Sequence, residues 1–276
     1  MNDFAKFFPR IAELLIQADG LLIGAGAGMG VDSGLPDFRG NEGFWRAYPP
    51  LKKLGLSFYD LANPSWFVDD PQRAWGFYGH RRNLYREVNP HAGFSILKKW
   101  ADDMTFGGFV FTSNVDGHFQ KAGFQETQIV ECHGSIEYDQ CVEPCCNKIW
   151  EAATTEIAVD LQTFRASGKL PKCESCGGAA RPNILMFGDW NWIESRTSQQ
   201  YDHFQNWLQQ FDQRNLLVIE IGAGTAVPTV RHQCERIAAQ HDSELVRINP
   251  RESHGATVIS ISCGGLQAVE AIDEYL

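Results

Sequence analysis

Five of the chain's eight cysteines lie close together, as Cys141-x-x-x-Cys145-Cys146 and Cys173-x-x-Cys176. Two short thiol loops of this kind offer four thiolates to one ion, the ligand set of a tetrahedral Zn²⁺ site. Gly177 and Gly178 follow the second pair and relieve crowding where the chain turns round a metal. In the first loop either Cys145 or Cys146 can join Cys141. With every coordination position filled by protein, such a metal is structural rather than catalytic. Cys132, Cys234 and Cys263 fall in apolar strand or helix patterns and read as inert core thiols.

A second group is a glycine run, Gly24-Ala25-Gly26-Ala27-Gly28, entered from the apolar Leu21-Leu22-Ile23. A buried strand ending in glycines brings main-chain N–H groups close enough to cradle a pyrophosphate. The usual dinucleotide fingerprint is not met, because its third glycine would fall on Met29, Val31 or Ser33. A third group is Tyr78 and Arg81, which share one face of a helix at i and i+3. A phenol and a guanidinium together suit a carboxylate, which Arg grips bidentately. The competing reading is a solvated basic face, since Arg81, Arg82 and Arg86 are neighbours.

The elements that must position these groups follow from hydrophobic period. Phe4, Phe7, Phe8, Ile11, Leu14 and Leu15 predict an amphipathic N-terminal helix and no signal peptide. Short apolar strands are expected at 21–23, 108–112, 128–132, 183–187, 216–221, 244–248 and 256–260. Helices are expected at 91–100, 197–213, 228–240 and 264–276. This alternation predicts an α/β fold with a doubly wound, parallel, Rossmann-like sheet. Residues 1–40, 87–136 and 181–276 make that nucleotide-binding domain. Residues 41–86, rich in aromatics and proline, read as a cofactor loop and small helical insertion. Residues 137–180 read as a zinc-ribbon module.

In order along the chain, these motifs closely resemble the sirtuin (Sir2) family. Gly26-Ala27-Gly28 with Gly34-Leu35-Pro36-Asp37-Phe38-Arg39-Gly40 is similar to its first signature. Thr112-Ser113-Asn114-Val115-Asp116 with Lys121-Ala122-Gly123 is similar to its second, and His133-Gly134 to its third. Arg181-Pro182-Asn183 through Phe187-Gly188-Asp189, then Ile221-Gly222-Ala223-Gly224, then Ile248-Asn249, continue the match. The likeness covers nearly the whole chain and suggests a divergent bacterial-type branch. Departures are Ser113 for glutamine, His118-Phe119 for Leu-His, Asp189 for glutamate, Ala223 for threonine, and an aromatic Trp190-Asn191-Trp192.

The resemblance implies NAD-dependent removal of acyl groups from lysines of a protein or peptide. Products would be free lysine, nicotinamide and O-acyl-ADP-ribose. His133 would be the general base, activating a ribose hydroxyl, a task that suits an imidazole of pKa ~6.5. Asn114 would meet the ribose at the reacting carbon and Asp116 the nicotinamide carboxamide, with Ser113 beside them; unaligned, Asn-x-Asp reads as an Asx turn. Gly26, Ala27 and Gly28 would form the phosphate turn, and Asp37, Phe38 and Arg39 a loop closing over the cofactor. Gly222, Gly224 and Thr225 would form the second nucleotide loop and Asn249 an adenosine-ribose contact. A peptide would add as a strand beside Phe187 and Gly188. Tyr78 and Arg81 resemble the pair by which succinyl- and malonyl-lysine enzymes of the family hold the acyl carboxylate. The family's zinc spacing favours Cys141, Cys145, Cys173 and Cys176.

Net charge is −10, from 24 basic and 34 acidic residues, with no Lys/Arg run. That argues against non-specific binding to nucleic acid or anionic membranes. No stretch has the roughly 18 apolar residues of a membrane span. A cytoplasmic location is expected, where thiols stay reduced and metal is favoured over disulfide. Rival activities on the same motifs are protein ADP-ribosylation and NAD hydrolysis, and a module that senses NAD without turnover. His133, Asn114 and Asp116 together favour deacylation.

Overall fold

The computed structural model describes residues 3–36 and 40–276. A 3-10 turn at Asp3–Phe7 leads into α1 (Phe8–Gln17), whose Ile11, Ala12 and Leu15 form the buried stripe. β1 (Gly20–Ala25) follows, buried along its whole length. Next come α2 (Gly40–Ala47), α3 (Pro49–Lys53), α4 (Phe58–Leu61), α5 (Trp66–Asp69) and the longer α6 (Pro71–Glu87). α7 (Ala92–Asp102), β2 (Gly108–Thr112), α8 (His118–Lys121) and β3 (Ile129–Glu131) return to the main sheet. The central stretch holds β4 (Gly134–Cys141), β5 (Ile149–Glu151), β6 (Val159–Asp160), β7 (Arg165–Ala166) and β8 (Ala180–Ile184). α9 (Ser195–Leu208), β9 (Leu216–Ile221), α10 (Thr229–Gln240), β10 (Leu245–Ile248), β11 (Val258–Ile261) and α11 (Gly265–Asp273) complete the chain.

Six strands pair in the order β11-β10-β9-β1-β2-β3, all parallel. Side chains alternate across a strand, so both faces of a fully buried parallel sheet must be apolar. Leu21 and Ile23 of β1 point to a core shared with Ile11, Leu15, Phe94, Leu97, Val269 and Ile272 of α1, α7 and α11. Leu22 points the other way, to a core built with Phe204, Trp207, Val230 and Ile237 of α9 and α10. Among the described residues no helix is long and apolar enough to cross a membrane.

The strand expected at 183–187 is displaced. β8 ends at Ile184 and pairs antiparallel with β4, in a second sheet ordered β5-β4-β8. Its inward residues Arg181 and Asn183 are polar yet fully buried, so the apolar run Ile184–Phe187 misplaced it. β4 itself carries no apolar run, because its buried Asp139 and Gln140 are satisfied by Arg82 and Asn183.

A third core joins the helices α2–α6 to this second sheet, with Phe44, Tyr48, Trp75, Phe77 and Tyr78 meeting Ile136, Phe164, Ile184 and Met186. α6 spans 17 residues, longer than the short helices expected. It is buried on several sides and so lacks a clean amphipathic period. Its Gly76 and Gly79 let the 157–166 segment touch the helix: a Cβ on Gly76 would lie 2.1 Å from the Phe164 carbonyl oxygen.

Candidate active site

The strand order reverses between β1 and β9, and doubly wound sheets bind ligands beyond the C-terminal strand ends at such a point. Two glycine loops interlock there, main chain against main chain. Gly26 N–H donates to the Ile221 carbonyl at 3.0 Å and Gly28 N–H to the Gly222 carbonyl at 3.0 Å. A Cβ on Gly26 would sit 2.6 Å from Ala223 Cα. One on Gly222, whose φ is +65°, would sit 2.5 Å from Gly28 Cα. Ala27 and Gly28 are half-buried and begin a 3-10 turn running to Ser33.

The end of β2 is tied into the first loop. Thr112 Oγ1 donates to the Ala25 carbonyl at 2.9 Å and accepts from Asn114 N–H at 3.0 Å. Asn114 Nδ2 donates to the Gly26 carbonyl at 3.0 Å, and Ser113 N–H to that of Ala25 at 3.2 Å. Asp116 is buried and accepts from His118 N–H at 2.9 Å. This Asp116–His118 turn fixes the carboxylate that the resemblance assigns to the nicotinamide. At the second loop, Asn249 is fully buried, donates to the Ala223 carbonyl at 2.9 Å and accepts from Arg251 and Glu252 N–H. Gly224 is half-buried, and the exposed Thr225 hydroxyl donates to Glu252. Asp37, Phe38 and Arg39 lie outside the described residues.

His133 stands at the seam between the two sheets, after β3 and before β4. Its carbonyl accepts from Leu185 N–H at 3.0 Å, where Gly134 pairs with Ile184. Gly134 has φ +75°, and a Cβ there would lie 2.0 Å from the Asn183 carbonyl oxygen, so only glycine fits. Burial depresses the His133 pKa below the ordinary histidine value, and a backbone group of Ser113 opposes this in part. The imidazole is therefore neutral near neutral pH, the form that accepts a proton.

Cys141, Cys145, Cys173 and Cys176 bring their four Sγ atoms within 4.8 Å of one another. The pairs Cys141–Cys176 and Cys145–Cys173 stand at 3.8 and 3.7 Å. Tetrahedral Zn²⁺ with Zn–S of ~2.3 Å places its sulfurs about 3.8 Å apart. The donor set fits a structural zinc. Cys146 Sγ lies outside this group, beside Ser175 Oγ at 3.4 Å. Cys132, Cys234 and Cys263 are buried, and burial lifts the Cys132 thiol to about 12 and that of Cys263 to about 11.

Tyr78 and Arg81 are not on a solvated face: they are 1% and 5% exposed. Arg81 Nε and Nη2 donate to Tyr85 Oη at 3.1 and 2.9 Å. Its guanidinium lies 5.3 to 5.8 Å from the ring centres of Phe58, Phe77, Tyr78 and Tyr85. Burial lifts the Tyr78 phenol to about 12, against the pull of Arg81. Arg181 and Asp189 also act on Tyr78, and Asp116 on Tyr85. Tyr85 was missed in sequence, although it stands at i+4 from Arg81. So was the Arg181–Asp189 pair, bidentate at 2.7 and 2.8 Å with both side chains fully buried.

A model of the Sir2 family matches residues 26–228. An NAD-dependent protein deacylase of Aquifex aeolicus is 28% identical over 228 residues, 83% of this chain and 82% of that one. NAD-dependent protein deacylase 1 of Archaeoglobus fulgidus is 26% identical over 270 residues, 97% and 96% of the two chains. An NAD-dependent protein deacetylase of Saccharolobus solfataricus is 31% identical over 182 residues, 66% of each chain. The crystal structure of a Sir2 homologue–NAD complex superposes with TM-score 0.69 at 22% identity, over 96% of this chain and 93% of that one, which establishes the fold.

Proposed function

The chain belongs to the Sir2 family, and from that premise we propose that it is an NAD-dependent protein-lysine deacylase selecting acidic acyl groups such as succinyl and malonyl. The observation that carries the acyl preference is the Tyr78–Arg81–Tyr85 cluster. A buried guanidinium and two phenols on one helix face are good chemistry for an acyl carboxylate and wasteful for an acetyl methyl. Support for NAD is the interlocked pair of glycine loops at the sheet's switch point, where a Cβ on Gly26 or Gly222 would collide with the facing loop's main chain. Zinc would be held by Cys141, Cys145, Cys173 and Cys176, tying β4 to the segment that leads into β8.

When bound, NAD supplies an electrophilic ribose carbon with nicotinamide as leaving group. Gly26, Ala27, Gly28, Gly222, Gly224 and Thr225 would cradle its phosphates and ribose, and Asn249, tied to the Ala223 carbonyl, would stand at the adenosine ribose. Ser113, Asn114 and Asp116 would orient its nicotinamide end, and the family resemblance adds Asp37, Phe38 and Arg39. Phe187 and Gly188 offer main chain to an extended peptide, whose acyl-lysine enters between α6 and His133. His133, held neutral by burial, accepts a proton at a ring nitrogen.

The test is turnover on matched succinyl- and acetyl-lysine peptides by wild type and Arg81→Met. Wild type should favour succinyl. Arg81→Met should lower succinyl kcat/KM about 10- to 100-fold, the worth of a charged hydrogen bond, while acetyl turnover changes within a few-fold. A clear acetyl preference in wild type contradicts the acidic-acyl reading.

A further inference from the structure

Trp190 is 96% exposed, more than any other large apolar side chain among the described residues. It does not stand on a loose loop. Asp189 is clamped by Arg181, and Asn191 N–H returns to Asp189 Oδ1 at 3.3 Å. Gln140 Nε2 donates to the Asn191 carbonyl at 2.8 Å, and Gln140 Oε1 accepts from Ile193 N–H at 3.0 Å. Asn183 Nδ2 donates to the Ile193 carbonyl at 2.9 Å. Buried side chains thus pin the loop on both sides of Trp190, so its backbone has little freedom left to lose when the indole binds.

This loop continues the Phe187–Gly188 segment. Phe187 stacks on the exposed Tyr59, centroids 4.3 Å apart, and donates its N–H to the Ala62 carbonyl at 2.9 Å. The rim so formed is acidic as well as aromatic. Residues 57–70 and 185–195 contain Asp60, Asp69, Asp70, Asp189 and Glu194 and no Lys or Arg. Asp70 and Asp189 are paired with Arg165 and Arg181, which leaves Asp60, Asp69 and Glu194 exposed on a chain of net charge −10. An exposed, electron-rich indole face on a chain of net charge −10 attracts a cation.

We propose that Trp190 is a specificity-determining residue that packs on a Lys or Arg flanking the acyl-lysine, so that the preferred substrates are basic segments of protein. The inference rests on the deacylase reading and refines its substrate class. It is tested with two succinyl-lysine peptides that differ only in having Arg or Ser at the flanking positions, against wild type, Trp190→Phe and Trp190→Ala. Wild type should favour the Arg peptide in kcat/KM by about fivefold or more, a modest cation–π and charge effect. Trp190→Phe should keep part of that ratio, and Trp190→Ala should bring it near one. An equal ratio in wild type and Trp190→Ala overturns the proposal. Calorimetric Kd values for the same peptides read docking independently of turnover. The Arg preference present in Kd with no product from any peptide upholds the docking role and fails the deacylase reading instead.

Discussion

His133 is the proposed general base, and burial sets its protonation. The folded state disfavours its charged form, so its pKa lies below the ordinary ~6.5. The sign follows: the imidazole stays neutral as pH falls through ~6.5 and becomes protonated only below that. The acidic limb of kcat/KM, measured on one succinyl peptide from pH 5 to 8, should therefore fall below ~6.5. A limb clearly above that value would remove His133 from the role of base. His133→Ala should abolish deacylation and leave the circular dichroism spectrum unchanged. Arg81 goes the other way: burial is outweighed by the phenols of Tyr85, Tyr78 and Tyr48 around it, which hold its guanidinium charged.

At the scale of elements, α6 sets two effects against each other. Replacing Gly76 by alanine favours the helix by about 1 kcal/mol. The added Cβ would also lie 2.1 Å from the Phe164 carbonyl oxygen, a backbone atom that cannot swing aside. The clash should win, and Gly76→Ala should lower the thermal midpoint in calorimetry by several degrees; a rise would show that the helix and the 157–166 segment are less tightly fitted. The same helix shows where sequence reading stops. β1, β2 and β9 were legible because parallel strands buried on both faces are short apolar runs. α6, β4 and β8 were not, because their inward positions include Gly76, Asp139, Gln140, Arg181 and Asn183, which are buried through partners distant in sequence. The glycine turn and the cysteine pairs were legible since each carries its pattern in local spacing, whereas His133 was singled out only by the family resemblance. The clamp of Arg181 on Asp189 and the pinning of Trp190 depend on contacts between elements.

For the whole molecule, the second sheet joins the thiol cluster to the seam at His133. β4 runs from Gly134, next to His133, to Cys141 in the thiol cluster, and it pairs with β8, which leads to Phe187 and Gly188. One zinc per chain is expected by elemental analysis. Cys145→Ser should lose it, while Cys146→Ser should retain it and its thermal midpoint; the reverse pattern would exchange their roles. Chelation should unfold the module cooperatively, because structural zinc contributes directly to folding. Activity should fall with it, as the seam at His133 loses its support. Under the proposed function, this chain joins the acyl group of a lysine to the ribose of NAD. Mass spectrometry of the nucleotide formed from NAD and a succinyl-lysine peptide tests it most directly. O-succinyl-ADP-ribose, formed in step with free lysine and nicotinamide, is the predicted result. Free ADP-ribose independent of peptide, or ADP-ribose mass added to protein, would contradict it.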